Sequence, residues 1–402
     1  MFCGFICSRV MLTLGTMGFI VNALIDVSPM RYISKRNFLL GFAVVFMYFL
    51  SGIWSTDKTY WLNHTITKIP IMFFPVAFAY LPQFTKKQLL FTTLGIGLVL
   101  FFSAVNSCAF LVSNLSYYLD AYKRSRVLPT INDNDYIRLS VSIALYLIWV
   151  FNFFKQIQSK LLKGLIIVIS GFLYIYLHIL AAKSGLAVFY IFIILYAIFL
   201  LYNKKYLAGT LLFAIFVLLV AAAYIFIPTF HHRIGYISYT IIMFKMGDKS
   251  GIYGDIGRLI SYDIAWQLIK AHPFGGVGAG DLFTAMQLGY QKFYPQLPEN
   301  LRLLPHNQFL TVALACGLPA LGLFILWVVA PLAYIKRNQQ GFFLFMVWFS
   351  LIMQLMIEPT LEIQYGIFVY VFYLNWQIHN SVHPTAAPSN FWFSRLLTPK
   401  IK

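Results

Sequence analysis

The sequence predicts an all-α integral membrane protein, a polytopic bundle of about 11–12 transmembrane helices with one long, partly helical outer loop. Three observations carry this. Hydrophobic residues make up 60% of the 402 and charged residues 10%, where an average soluble domain is about a quarter charged. Apolar runs of about the 20 residues that a helix needs to cross a bilayer recur along the chain. Those runs are continuous, whereas outer-membrane barrel strands are short and alternate.

The runs fall at roughly 2–25, 38–54, 65–82, 88–112, 137–154, 162–181, 185–202, 206–227, 307–335, 341–357 and 363–380. Segment 2–25 has no basic stretch followed by a cleavage site, so it reads as a retained helix. Pro70 and Pro75 in the third run, and Pro319 and Pro331 in the ninth, are tolerable where neighbours re-satisfy freed backbone groups. Cys3, Cys7, Cys108 and Cys316 all sit in apolar segments, with neither disulfide nor zinc spacing. The net charge of +18 is spread in short clusters between the runs rather than along one amphipathic face, which reads as topology and not as nucleic-acid binding.

Those clusters orient the bundle. Alternate connections, from Arg31, Lys35 and Arg36 through Lys86 and Lys87 to Lys336, Arg337 and the tail with Arg395, Lys400 and Lys402, contain no acid apart from Asp26. Every other Asp and Glu lies on the opposite set: 55–64, 113–136, 182–184, 228–306 and 358–362. The positive-inside rule makes the basic set cytoplasmic and the acidic set external. The chain then divides into N-terminal helices (1–227), a long outer loop (228–306) and C-terminal helices with a tail (307–402). Loops beyond about 15 residues are commonly functional, and two outer loops, 113–136 and 228–306, exceed that length.

The chemistry is expected in these outer segments. The run HPFGGVGAGDLF (272–283) brings His272 beside Gly276 and Gly278, glycines that form either an anion-binding nest or a tight turn. His306 and Asn307 open the ninth run. The positive end of a helix there favours a neutral imidazole, as a general base requires, although a histidine in this place also serves as a simple cap. Lys183, Arg138, Glu358 and Glu362 lie at the outer boundary, either as a functional group of charges or as snorkelling anchors and salt bridges. The aromatic residues Tyr290, Phe293 and Tyr294 are candidates for stacking on sugars. The acidic turn NDND (132–135) is a weak metal motif, because Asn and Asp are common in turns for their own hydrogen bonds. No metal and no cofactor is expected.

Two stretches together resemble a known family. GRLISYDIAWQLIKAHPFGGVGAGDLF (257–283) followed by PHNQFLTVALACGLPALGLF (305–324) resembles the O-antigen ligase and polymerase family of bacterial membrane glycosyltransferases. AAKSGLAVF (181–189) and EPTLEIQYGIF (358–368) look like two further segments of it. The resemblance implies transfer of a glycan from an undecaprenyl-diphosphate carrier to an acceptor hydroxyl, lipid A–core or another glycan or lipid, at the periplasmic face of the bacterial inner membrane. The transfer would be inverting and metal-independent, in contact with membrane lipids and with no nucleic acid. His306 would be the base, Arg258 a catalytic cation and Glu358 a partner to a cation or sugar. Lys183, Arg138, His272, Gly276, Gly278, Asn307 and Glu362 would bind the diphosphate or glycan. Lys183 stands where the family usually has arginine, and lysine lacks the planar fork suited to phosphate. A repeat-unit polymerase, a protein O-oligosaccharyltransferase and, from another class, a polysaccharide flippase are the alternatives.

Overall fold

The computed structural model describes residues 1–25, 35–124, 126–132, 135–246, 254–336 and 338–382. Arg31, Arg337, Arg395, Lys400 and Lys402, and the middle of the NDND turn, lie outside these. Every regular element among the described residues is helical. In chain order the α-helices are α1 (Phe2–Cys7), α2 (Arg9–Ile25), α3 (Lys35–Ser51), α4 (Lys58–Tyr80), α5 (Lys86–Ser113), α6 (Leu115–Lys123), α7 (Tyr136–Phe153) and α8 (Lys160–Leu180). There follow α9 (Lys183–Tyr202), α10 (Tyr206–Phe226), α11 (Pro228–Lys245), α12 (Gly254–Ala271), α13 (Leu282–Phe293), α14 (Gln308–Val329), α15 (Gln339–Ile357) and α16 (Gln364–Val382).

Among the described residues seven helices are long and apolar enough to cross a bilayer, and Arg9–Ala23 and Asn37–Ser51 are shorter apolar helices. The protein is a multi-pass, all-α membrane protein. α10 shows the signature most directly: it is apolar all round, yet Leu207, Leu211, Phe213, Val217, Leu218 and Phe226 are exposed. A face of that size suits lipid and not water. The first run differs from expectation. Ser8 is extended and ends α1, and Gly4 lies against the backbone of Leu12, so the span begins at Arg9.

The chain forms two compact units. The first comprises Met1–Gly15 and Phe84–Met243, the second Thr16–Gln83 and Phe244–Lys402. In the first, α7 is buried almost along its whole length by α5, α8 and α9. Gly185 of α9 sits against Ser140 of α7, where a Cβ would come 2.6 Å from the Ser140 carbonyl oxygen. In the second, α3 packs on α4 and α14, and α16 on α4 and α15, with α12 against α14.

Two local features of the second unit position the site. Asp57 caps α4 by accepting a hydrogen bond from the Tyr60 amide at 2.8 Å, so the helix starts at Lys58 rather than near 65. Tyr60, Trp61 and His64 therefore stand on a helix where a loop was expected. α14 is broken at Gly317, whose φ is +85°, two residues before Pro319. A helix break strands carbonyls and amides at membrane depth. The glycine turn takes them up: the Val277 and Gly278 amides donate to the Leu314 and Ala315 carbonyls at 2.8 and 3.1 Å, and the Leu318 amide donates to the Pro273 carbonyl at 2.7 Å.

Candidate functional site

Three chain segments of the second unit meet at Glu358, which follows the last residue of α15. Arg258 Nη2, on α12, donates to Glu358 Oε1 at 2.7 Å, and His306 Nδ1 lies 3.0 Å from Oε2. The glutamate side chain is 4% exposed, while Arg258 and His306 are 29% and 25% exposed, so the carboxylate is a buried hinge beneath two accessible groups. One turn along α12 from Arg258, the Tyr262 hydroxyl donates to the His306 carbonyl at 2.6 Å. Asn307 caps α14 through its side-chain oxygen, which accepts from the Phe309 and Leu310 amides. Its amide nitrogen donates to the Met356 carbonyl at 3.0 Å. Nδ1–H facing a carboxylate leaves Nε2 as the basic nitrogen, the tautomer that an oriented general base uses.

Four residues further on, Glu362 gathers a second cluster. Lys68 Nζ lies 2.7 Å and His64 Nδ1 3.0 Å from Oε2, while Gln308 Nε2 and the Tyr48 hydroxyl donate to Oε1 at 2.7 and 3.2 Å. Burial alone would raise this carboxyl's pKa. The Lys68 ammonium, and after it His64, override burial and hold it well below the usual carboxylate range. Gln308 also accepts from the Leu361 amide at 2.7 Å. Asn307 and Gln308, the two residues after His306, are thus tied to Met356 near the end of α15 and to Leu361 and Glu362 beyond it.

His272 lies apart from this group along α12. Arg258 and His272 are fourteen positions apart on and just beyond α12, about 21 Å along the axis at 1.5 Å per residue. His272 is exposed and, with Trp54 and Phe274, lines an open cavity of about 330 Å³. The turn at Gly276 and Gly278 uses its backbone on protein: the Gly276, Val277 and Gly278 amides bond His272, Leu314 and Ala315 carbonyls, and the Ala279 and Gly280 amides bond the Ser51 and Ser55 hydroxyls. The tight-turn reading accounts for these glycines. Asp281 accepts from the Thr56 hydroxyl and from the Thr56 and Asp57 amides, at 2.8 and 3.2 Å for the amides. Partial burial would raise its pKa, but the Thr56 hydroxyl and these amides bring it down.

Lys183 and Arg138 belong to the first unit. Lys183 begins α9, half-buried, and Arg138 is buried in the first turn of α7, where its Nη1 lies 3.4 Å from the capping carboxylate of Asp135. Tyr290 is fully buried and holds the Leu303 backbone through both lone pair and hydroxyl proton, so it is no open platform for a sugar. Tyr294 donates to Asp263 at 2.9 Å, and Phe293 is partly exposed.

Sequence reasoning missed Tyr48, His64, Lys68 and Gln308. One signal was available: Lys68 is a lone cation within an apolar run, which is costly unless paired. Tyr60, His64 and Lys68 recur every fourth residue, one face of a helix. Among the described residues, no group of three or more His, Cys, Asp or Glu side chains is placed to hold a metal ion.

The fold and this cluster define a polytopic membrane protein with a carboxylate-anchored arginine and histidine. Residues 171–325 match the family model described as O-Antigen ligase, so this stretch is similar to that family. The match includes Lys183, Arg258, His272, Gly276, Gly278, His306 and Asn307, while Arg138, Glu358 and Glu362 lie outside it. No curated protein matches the chain.

Proposed function

We propose that the protein is an O-antigen ligase-type glycosyltransferase, moving a glycan from an undecaprenyl-diphosphate carrier to a hydroxyl of lipid A–core at the periplasmic face of the bacterial inner membrane. The observation that carries this reading is the bridge from Arg258 through Glu358 to His306. In a single inverting displacement, the acceptor oxygen bonds the anomeric carbon and the carbon–oxygen bond to the diphosphate breaks, its electron pair leaving on the diphosphate. The hydroxyl proton passes to His306 Nε2. Glu358 fixes the imidazole's orientation and stabilises the imidazolium that forms. A diphosphate is a good leaving group, so cation density matters more than a strong acid. Arg258 supplies it, since a guanidinium has five N–H donors in a fork that matches phosphate oxygens.

Lys183 and Arg138 enter this reading as diphosphate- or glycan-binding residues by resemblance. Grooves between apolar helices would hold the polyprenyl chain. Support for the orientation comes from charge placement, because Asp57, Asp281, Glu358 and Glu362 all lie on connections of the acidic set.

The test is transfer by the purified chain, given an undecaprenyl-diphosphate-linked glycan and lipid A–core. Glycan on lipid A–core is the expected product. Elongation on the carrier would make the protein a polymerase, and transfer to a serine or threonine hydroxyl a protein O-oligosaccharyltransferase. No transfer to any of the three acceptors overturns the glycosyltransferase reading.

A further inference from the structure

The Glu358–Glu362 link carries two imidazole–carboxylate pairs, not one. His306 faces Glu358 and His64 faces Glu362, each through Nδ1 at 3.0 Å, and each glutamate also holds a cation at 2.7 Å. The two ends differ in what they offer a substrate. Arg258 is 29% exposed and presents its guanidinium beside His306. Lys68 is 1% exposed, paired to Glu362 and seated 4.2 Å over the Tyr48 ring, so its charge is used inside the protein. Glu362 accepts from four donors, which fills the acceptor sites of a carboxylate.

What remains accessible at this end is His64, 16% exposed, its ring stacked on half-buried Tyr60 at 4.1 Å and 27°. With Nδ1 engaged, Nε2 is the nitrogen that meets a ligand. A half-buried aromatic ring beside a partly exposed imidazole, with Lys68 held inside the protein, suits an uncharged polyol ring better than a diphosphate. We infer that Tyr60 and His64 form a sugar-ring subsite at the far end of the Glu358–Glu362 link, the ring's C–H face on Tyr60 and one of its hydroxyls on His64. This rests on the glycosyltransferase reading, in which a sugar must be held near the diphosphate end.

Tyr60→Ala and His64→Gln test it, with Tyr60→Phe keeping the aromatic face. In the transfer assay the first two variants are expected to raise KM about tenfold for one substrate with kcat little changed, a loss of about 1.4 kcal/mol in binding. Tyr60→Phe should match the native chain. A rise for lipid A–core assigns the subsite to the acceptor, and a rise for the lipid-linked glycan assigns it to the donor. KM values unchanged for both substrates in both variants overturn the inference, leaving a structural cluster. Saturation-transfer NMR on the full chain in nanodiscs, with delipidated core oligosaccharide and with free repeat-unit glycan, asks the same question without turnover. Signal to one glycan that is lost in Tyr60→Ala supports the subsite, even if the native chain transfers nothing and the glycosyltransferase reading falls. Equal signal in native and variant chains, or none in the native chain with either glycan, refutes it.

Discussion

Replacing Glu358 by glutamine keeps the side chain's shape and removes the charge on which Arg258 and His306 converge. The carboxylate is 4% exposed, so its two contacts at 2.7 and 3.0 Å are made largely out of water. A hydrogen bond to a charged group contributes about 1.5–3 kcal/mol, which gives about 3–6 kcal/mol for the two. Arg258 and His306 are themselves a quarter or more exposed, and solvent screening favours the lower end, about 3 kcal/mol. At about 1.4 kcal/mol per decade, kcat should fall at least about 100-fold. The amide can also turn its N–H₂ towards Nδ1 and favour the wrong tautomer, which in the serine-protease triad costs about 10⁴. The assay is steady-state transfer to lipid A–core by protein purified at native yield. A loss confined to kcat, with kcat/KM falling in step, identifies an interaction made in the transition state. A kcat within about threefold of native would refute the reasoning that Glu358 organises the site.

Three further outcomes follow from the same contacts. Lys68→Met strands the Glu362 carboxylate in a buried place, with side-chain exposures of 1% and 9% in the native pair. It should cost about 3–5 kcal/mol, seen as lost folded yield, and Lys68→Met combined with Glu362→Gln should recover most of it. Stability should also depend on acid. Glu362 and Asp281 both titrate below their ordinary values of 4.5 and 3.8, so their contribution is fully present above those values and is lost as pH falls through the lower folded-state pKa. Tm in detergent should therefore drop below about pH 4.5, and a Tm that stays level or rises on acidification contradicts this. Gly317→Ala places a Cβ on the Phe274 carbonyl at a φ of +85°, costing at least about 1–2 kcal/mol in thermal unfolding. Gly322→Ala in the same helix meets open space and should leave stability level or slightly raised.

Apolar run length and the alternation of basic and acidic connections made the helical membrane class readable from the sequence. The long loop was readable as the place to look, and Arg258, His306 and Glu358 could be named from it and from the EPTLE link. Their convergence could not, because the contacts join residues 258, 306 and 358 across three chain segments. Helix onset was misjudged near 58, since Asp57 starts α4 in a stretch too polar for a hydrophobic run to mark. That early start is why His64 and Tyr60 went unnoticed. The glycine turn was legible as a turn, but its role was not: its amides serve a helix break at Gly317, and only the fold shows that the two motifs interlock.

The central claim is that Arg258 and His306, joined by Glu358, carry out glycan transfer without a metal. Single-turnover transfer from an undecaprenyl-diphosphate-linked glycan to lipid A–core, run in EDTA, tests it most directly, with the native chain beside Arg258→Ala and His306→Ala. The account predicts transfer by the native chain that survives EDTA and is lost in both variants at normal folded yield. Native-like transfer by either variant, or native transfer abolished by EDTA and restored by a divalent cation, would contradict it.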